Sequence, residues 1–273
     1  MLPREASRGR PIPLVIQNYY YYPQFFLPDG PHSHSDAAQA LVAQGFAVAQ
    51  INGVGDLLAH GKSEEEGARF VATVDAIVES LSSQGLIDPS RVGITGFSRG
   101  GYQAYFAITH PSRTRLAAIV AADSFNGSYS SYLYYGPIVP DFVRRSYEPS
   151  YGGSFWSKKH EWLERETTFN VDRVRTPAMF TVTGNGDIAR RAPYIEETMS
   201  TIGAFVLNRK PIEYIYLPMA GHVLMRPRER LEVMQAIVDW MSFWLNDKEP
   251  ADRALAQKWR AMKDAWDATS LER

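Results

Sequence analysis

The segment Val92-Gly93-Ile94-Thr95-Gly96-Phe97-Ser98-Arg99-Gly100-Gly101 constrains this chain more than any other, because it sets a serine inside Gly-x-Ser-x-Gly directly after a short β-branched, apolar run. A chain that leaves a strand and enters a helix within about two residues holds the apex residue in a strained conformation with its hydroxyl pointing outward. Gly96 and Gly100 flank the serine because side chains there would collide across so sharp a turn. Upstream, Asp88-Pro89-Ser90 reads as a turn feeding a buried strand. Downstream, Gly100 to Ile108 has the small and apolar residues of a buried helix. The pentapeptide alone also marks ordinary loops. Strand, turn and helix together make Ser98 the candidate nucleophile.

The rest of the chain supplies a frame for such an elbow. Pro13 to Tyr22 reads as a strand running into four tyrosines, Phe46 to Ile51 as the next strand, and a short helix over 36–44 lies between them. Glu65 to Ser82 is the clearest helix, with Phe70, Val74, Ile77, Val78 and Leu81 along one face. Leu116 to Ala122, Ala178 to Thr183 and Ile212 to Leu217 read as further strands, and Pro227 to Leu245 as a helix. Apolar strands alternating with amphipathic helices predict an α/β fold, a mostly parallel sheet covered on both faces. Such sheets carry their sites at the carboxyl ends of the strands.

Between Asp123 and Asp172 periodicity fades while aromatic residues accumulate: Tyr129, Tyr132, Tyr134, Tyr135, Tyr147, Tyr151, Phe142, Phe155, Trp156 and Trp162. A long irregular insert in a compact domain predicts a lid or pocket wall. The plainer reading is an aromatic subdomain that only packs on the sheet. At the far end, Leu255, Trp259, Met262 and Trp266 recur at helical steps, so the chain divides into residues 1–247 and a docked helical tail, 248–273. That tail could instead meet a partner, in a homo-oligomer or with a missing domain.

Charge and composition narrow the functions. A formal net charge of −1 with no long basic block argues against nucleic acid or an anionic membrane as the partner. The absence of cysteine excludes thiol catalysis, cysteine zinc sites and disulfides. No run approaches the ~20 apolar residues of a membrane span, and the first residues lack the form of a signal peptide. A soluble chain without an address is expected. His32-x-His34 lacks a third ligand at suitable spacing, so neither a metal nor another cofactor is expected.

A serine hydroxyl needs a base within hydrogen-bond reach and a third group to orient that base. Among six histidines, only His222 lies in a loop after a predicted late strand, in Pro218-Met219-Ala220-Gly221-His222. Chain order of nucleophile, acid and histidine makes it the base. For the acid, Gly184-Asn185-Gly186-Asp187 follows the strand Ala178 to Thr183 and favours Asp187, because glycine on both sides of Asn185 allows a tight turn toward the histidine. Asp123, closing the preceding strand, is the rival. One oxyanion donor is expected from the backbone N–H of Arg99, and a second from the loop of tyrosines after the first strand.

These residues resemble the catalytic domain of the prolyl oligopeptidase family of serine peptidases, from about residue 12 to 245. The resemblance rests on Pro13-Leu14-Val15-Ile16 followed by Tyr19, Gly85 to Val92, Gly96-Phe97-Ser98-Arg99-Gly100-Gly101, Arg175-Thr176-Pro177 and Gly221-His222. It implies an α/β-hydrolase fold, a triad of Ser98, Asp187 and His222, and a Tyr19 hydroxyl that joins the Arg99 N–H at the oxyanion. It also implies a peptide substrate whose acyl residue is bordered by Tyr147 and Tyr151-Gly152. The family usually has Gly-Gly-Pro after the oxyanion tyrosine, where this chain has Tyr20-Tyr21-Tyr22-Pro23, so any of these tyrosines could substitute. It normally carries a β-propeller, which this sequence does not contain. Within the family, His222-Val223-Leu224, Asp239-Trp240, Phe243-Trp244-Leu245 and Trp259-Arg260 are similar to the lasso-peptide isopeptidases. A carboxylesterase of the same fold and a catalytically silent binding module are the alternatives.

Overall fold

The computed structural model describes residues 1–7, 9–19, 21, 37–55, 63–124, 128–184 and 188–271, with backbone alone for 188–194 and 270–271. Among the described residues six strands form one sheet: β1 (Ile12–Asn18), β2 (Ala47–Ile51), β3 (Ile87–Phe97), β4 (Ala118–Ala122), β5 (Ala178–Thr183) and β6 (Ile212–Leu217). Their order is β2-β1-β3-β4-β5-β6, and every pair among the described residues is parallel. Parallel neighbours need crossover connections. Here helices supply them: α1 (Ala38–Ala43), α2 (Glu66–Ser83) and α3 (Arg99–Thr109) come before β4.

Side chains alternate between the two faces, so each strand feeds two cores. Leu14, Ile16, Val92, Ile94, Ile119 and Phe180 pack with Phe70 and Val74 of α2 and Tyr105 of α3. On the other face Val15, Val48, Val120 and Met179 meet Leu41 of α1. At Gly93 on this sheet an added Cβ would lie 2.6 Å from the Met241 sulfur.

Between β4 and β5 the insert is helical rather than irregular. It forms α4 (Tyr129–Tyr135), α5 (Pro140–Ser146), α6 (Glu148–Tyr151) and α7 (Lys159–Arg165), then a 3-10 turn over Thr168–Arg173. Helices of four to seven residues are too short to show a repeat. They bury one another instead: Tyr132, Tyr135, Val143, Tyr147, Tyr151 and Trp162 make a separate core. Tyr151 stacks on Trp162 with ring centroids 3.7 Å apart.

Three helices complete the chain: α8 (Ile188–Leu207), α9 (Pro227–Asn246) and α10 (Arg253–Leu271). No periodicity marks α8 in the sequence, since Pro193 and Gly203 interrupt the helical pattern inside it. The tail helix α10 buries Trp259 edge-on against Trp240 of α9, with centroids 5.1 Å apart. The Trp259 indole N–H donates to Glu213 of β6 at 2.7 Å, and Lys258 pairs with the other carboxylate oxygen at 2.7 Å. The first strand is shorter than its sequence suggests. It ends at Asn18, whose side-chain amide donates to the Gly100 carbonyl and to Gln103.

Glu166, just after α7, accepts from the Phe169 N–H at 2.9 Å, and burial pushes its carboxyl up to about 7 from an ordinary 4.5. Between those values the native state keeps a proton that the unfolded chain has released. Its contribution to stability is therefore full below pH 4.5 and is lost as pH rises to about 7. Denaturant midpoints measured across this range should fall with pH in the parent, and the Glu166→Gln variant should lack that component of the slope.

Candidate active site

The elbow is built from backbone that leaves no room for side chains. Ser98 sits at φ 52°, ψ −120°, a region L-residues avoid, and its N–H donates to the Ala122 carbonyl at 2.9 Å. A Cβ on Gly96 would overlap the Gly100 carbonyl, and one on Gly100 would overlap the Asn18 carbonyl. One on Gly101 would approach the Ser124 Cβ to 2.6 Å. Helix α3 starts at Arg99, so the Arg99 N–H belongs to a first turn that lacks intrahelical acceptors and carries the positive end of the helix dipole. Such a donor suits an oxyanion forming beside Ser98.

His222 reaches Ser98 from the loop between β6 and α9, its Nε2 lying 3.1 Å from the serine Oγ. Its Nδ1 is hydrogen-bonded to Asp123 Oδ2. Donation from Nδ1 to a carboxylate fixes the tautomer and leaves Nε2 as the acceptor facing the hydroxyl. Asp123 is almost wholly buried at the end of β4, with φ 41°, and its second oxygen accepts the Thr183 N–H at 2.9 Å. The imidazole is about a third exposed, at 35%. Phe97 packs against the imidazole with centroids 4.6 Å apart. On Phe97's own ring Tyr19 stands edge-on at 4.9 Å.

Of the residues singled out in the sequence, Ser98, Arg99 and His222 come together here, and Tyr19 joins them through Phe97. Asp187, preferred above as the acid, lies outside the described residues, as do Tyr20, Tyr22, His32 and His34. Its rival Asp123 is the group on Nδ1. Tyr147 and Tyr151 are both buried in the insert's own core. Tyr147 exchanges a hydrogen bond with Ser131 at 3.0 Å. Gly152 follows in a left-handed turn at φ 76°, where a Cβ would lie 2.5 Å from the Glu64 carboxylate. Among the described residues no group of three His, Cys, Asp or Glu side chains is arranged to hold a metal.

The sequence reading missed the side chain of Arg99 and its partner Glu66. Arg99 Nε donates to Glu66 Oε1 at 2.9 Å and Nη2 to Oε2 at 2.6 Å, a buried bidentate pair. Nη2 also donates to Ser150 Oγ at 3.0 Å, and the guanidinium lies 3.9 Å over the Tyr102 ring. Burial opposes the Arg99 charge, but the adjacent Glu66 carboxylate together with Tyr102 and Tyr151 outweighs it and holds the guanidinium pKa above its ordinary value. In the sequence, Glu64-Glu65-Glu66 looks like a solvated first helical turn. The available signal was Gly67, which lets α2 press on Phe106 of α3 and so carries its neighbour Glu66 inward.

The sequence profile of the prolyl oligopeptidase family matches residues 32–248. The chain belongs to the prolyl oligopeptidase family. Among its relatives is the lasso peptide isopeptidase AtxE2 of Asticcacaulis excentricus, 28% identical over 96% of this chain and 38% of the relative. An uncharacterized peptidase of Bacillus subtilis, YuxL, is 25% identical over 77% of this chain and 32% of its own length. The ligand-free AtxE2 structure superposes with a TM-score of 0.78 at 24% identity, covering 97% of this chain and 40% of that one. An acylaminoacyl peptidase of Pyrococcus horikoshii superposes at 0.68 with 16% identity, over 93% of this chain and 40% of its own. These similarities establish the family and the fold. The chain spans about two fifths of the length of the AtxE2 relative and of both superposed structures.

The packing of the elbow makes a direct prediction. In Gly100→Ala the new methyl meets the Asn18 carbonyl, which is backbone and cannot swing aside. Unfolding by denaturant should show a loss of about 1–3 kcal/mol, and a fluorophosphonate probe should label Ser98 more slowly than in the parent.

Proposed function

We propose that this chain hydrolyses amide bonds in peptides through an acyl-enzyme on Ser98. The observation that carries the reading is the 3.1 Å approach of His222 Nε2 to Ser98 Oγ, with a carboxylate holding Nδ1 on the far side of the ring. Nε2 takes the hydroxyl proton as Oγ bonds to the substrate carbonyl carbon, and the carbonyl oxygen gains the negative charge. The Arg99 N–H stabilises that oxyanion, and the Tyr19 hydroxyl is the second donor implied by the family resemblance. His222 then gives the proton to the departing amine. Water repeats the sequence on the ester and frees the acid.

For substrate class, the support is the likeness to an enzyme called a lasso peptide isopeptidase, which extends over 96% of this chain. A structure of that enzyme with Astexin3-dC4 bound superposes with a TM-score of 0.74. The reading is therefore a peptide closed by a side-chain amide, with linear peptide amides as simpler substrates.

Ser98→Ala should abolish fluorophosphonate labelling and lower amide turnover by at least about a thousandfold. An unlabelled parent would make the fold a silent binding module; turnover of nitrophenyl esters without aminoacyl amides would make it an esterase. The acid is tested by paired variants. On the hydrogen bond to Nδ1, we assign orientation of His222 to Asp123, and Asp123→Asn should lower kcat by about 10³–10⁴-fold. Asp187→Asn should cost much less, and the reverse ranking would return the role to Asp187, as the family resemblance implies.

A further inference from the structure

We propose that the buried Glu66–Arg99 pair positions the nucleophile, by clamping the elbow to the rim of the site and to the insert. The proposal rests on the reading of Ser98 as nucleophile. Strain like that at Ser98 costs about 1–3 kcal/mol and persists only where the surroundings over-determine it. Arg99 is the next residue, and its side chain is tied along one edge of the guanidinium, through Nε and Nη2: to Glu66 by two bonds and to Ser150 by a third. The elbow therefore cannot relax by swinging the first turn of α3 outward without breaking a buried ion pair.

Glu66 is the hub of this arrangement. Its Oε1 also accepts from Gln103 Nε2 at 3.1 Å, one turn further along α3. Gln103 passes the link on: its amide donates to the Gly53 carbonyl at 3.3 Å, and its oxygen accepts from Asn18 at 2.8 Å. Asn18 in turn donates to the Gly100 carbonyl at 3.3 Å, which returns the network to the elbow. One carboxylate thus connects the end of β1, the loop after β2, the first turn of α2, the elbow and α6 of the insert.

Stability is a poor explanation for such a pair. Replacing a buried ion pair by apolar side chains of similar size is often neutral or stabilising, because two charges no longer have to be stripped of water. What apolar residues cannot supply is direction. A bidentate guanidinium fixes both distance and plane, and the third bond to Ser150 sets where the insert's Tyr151 stands relative to Ser98. Glu66 and Arg99 therefore act as positioning residues through their side chains, separately from the Arg99 backbone N–H.

The test is the double variant Glu66→Leu/Arg99→Met beside the single variants Glu66→Gln and Arg99→Lys. Three quantities are read: the denaturation midpoint, the second-order rate of fluorophosphonate labelling, and kcat and KM on a peptide amide. The double variant should unfold at or above the parent midpoint and yet label about a hundredfold more slowly, with kcat falling more than KM rises. Arg99→Lys keeps the charge without the fork and should fall between. If the double variant does not fold, Ser150→Ala removes the insert arm alone and should raise KM for the peptide several-fold. A stable double variant that labels within threefold of the parent would overturn the proposal, as would a Ser150→Ala enzyme with unchanged KM and labelling. If the parent itself fails to label while Ser98→Ala behaves identically, the nucleophile assignment has failed, and this proposal with it.

Discussion

Hydrogen bonds that prolong the parallel sheet past its strand ends hold this site together. The Ser98 N–H takes the Ala122 carbonyl at 2.9 Å, the Asp123 N–H takes Thr181 at 2.7 Å, and the Gly184 N–H takes Leu217 at 2.9 Å. Each bond ties the residue leaving one strand to the last turn of the ladder on the next. Ser98 and Asp123 both have positive φ, so each chain turns sharply out of the sheet immediately beyond this ladder. The distance between Ser98 and Asp123 is consequently a property of strand register, and His222 need only bridge a gap that β3 and β4 have already set.

The legible parts of the sequence were those where one physical signal dominates. β5 and β6 carry apolar residues on both faces, and their observed limits match the runs Ala178 to Thr183 and Ile212 to Leu217. The elbow was legible because steric exclusion leaves glycine as the one residue that fits at three positions around Ser98. The choice of acid was harder. Asp123 and Asp187 follow adjacent strands of one sheet, and linear spacing does not say which loop bends toward the imidazole. The Glu66–Arg99 pair was invisible for another reason: three consecutive glutamates look solvated until packing of α2 on α3 turns one of them inside.

The insert shows how local order can escape a periodicity search altogether. Its helices are too short to display a repeat, and the stabilising contacts run between them, Tyr132 with Trp162 at 4.8 Å and Tyr135 with Tyr147 at 6.5 Å. Aromatic enrichment was the surviving trace, and it pointed to both readings entertained for it. The segment has its own core and also reaches Arg99 through Ser150. A packed subdomain and a wall of the site are thus compatible descriptions of one segment.

Arg99 also has a meaning for how such a site can vary. Its main chain offers an N–H that every residue except proline would offer, whereas its side chain makes three bonds to two partners, Glu66 and Ser150, that few residues could satisfy. Variation at this position can therefore loosen or retune the grip on the insert without deleting the backbone donor beside Ser98. One residue thus carries two separable features, a main-chain donor that nearly any residue offers and a side-chain grip particular to this one, and the two can vary independently.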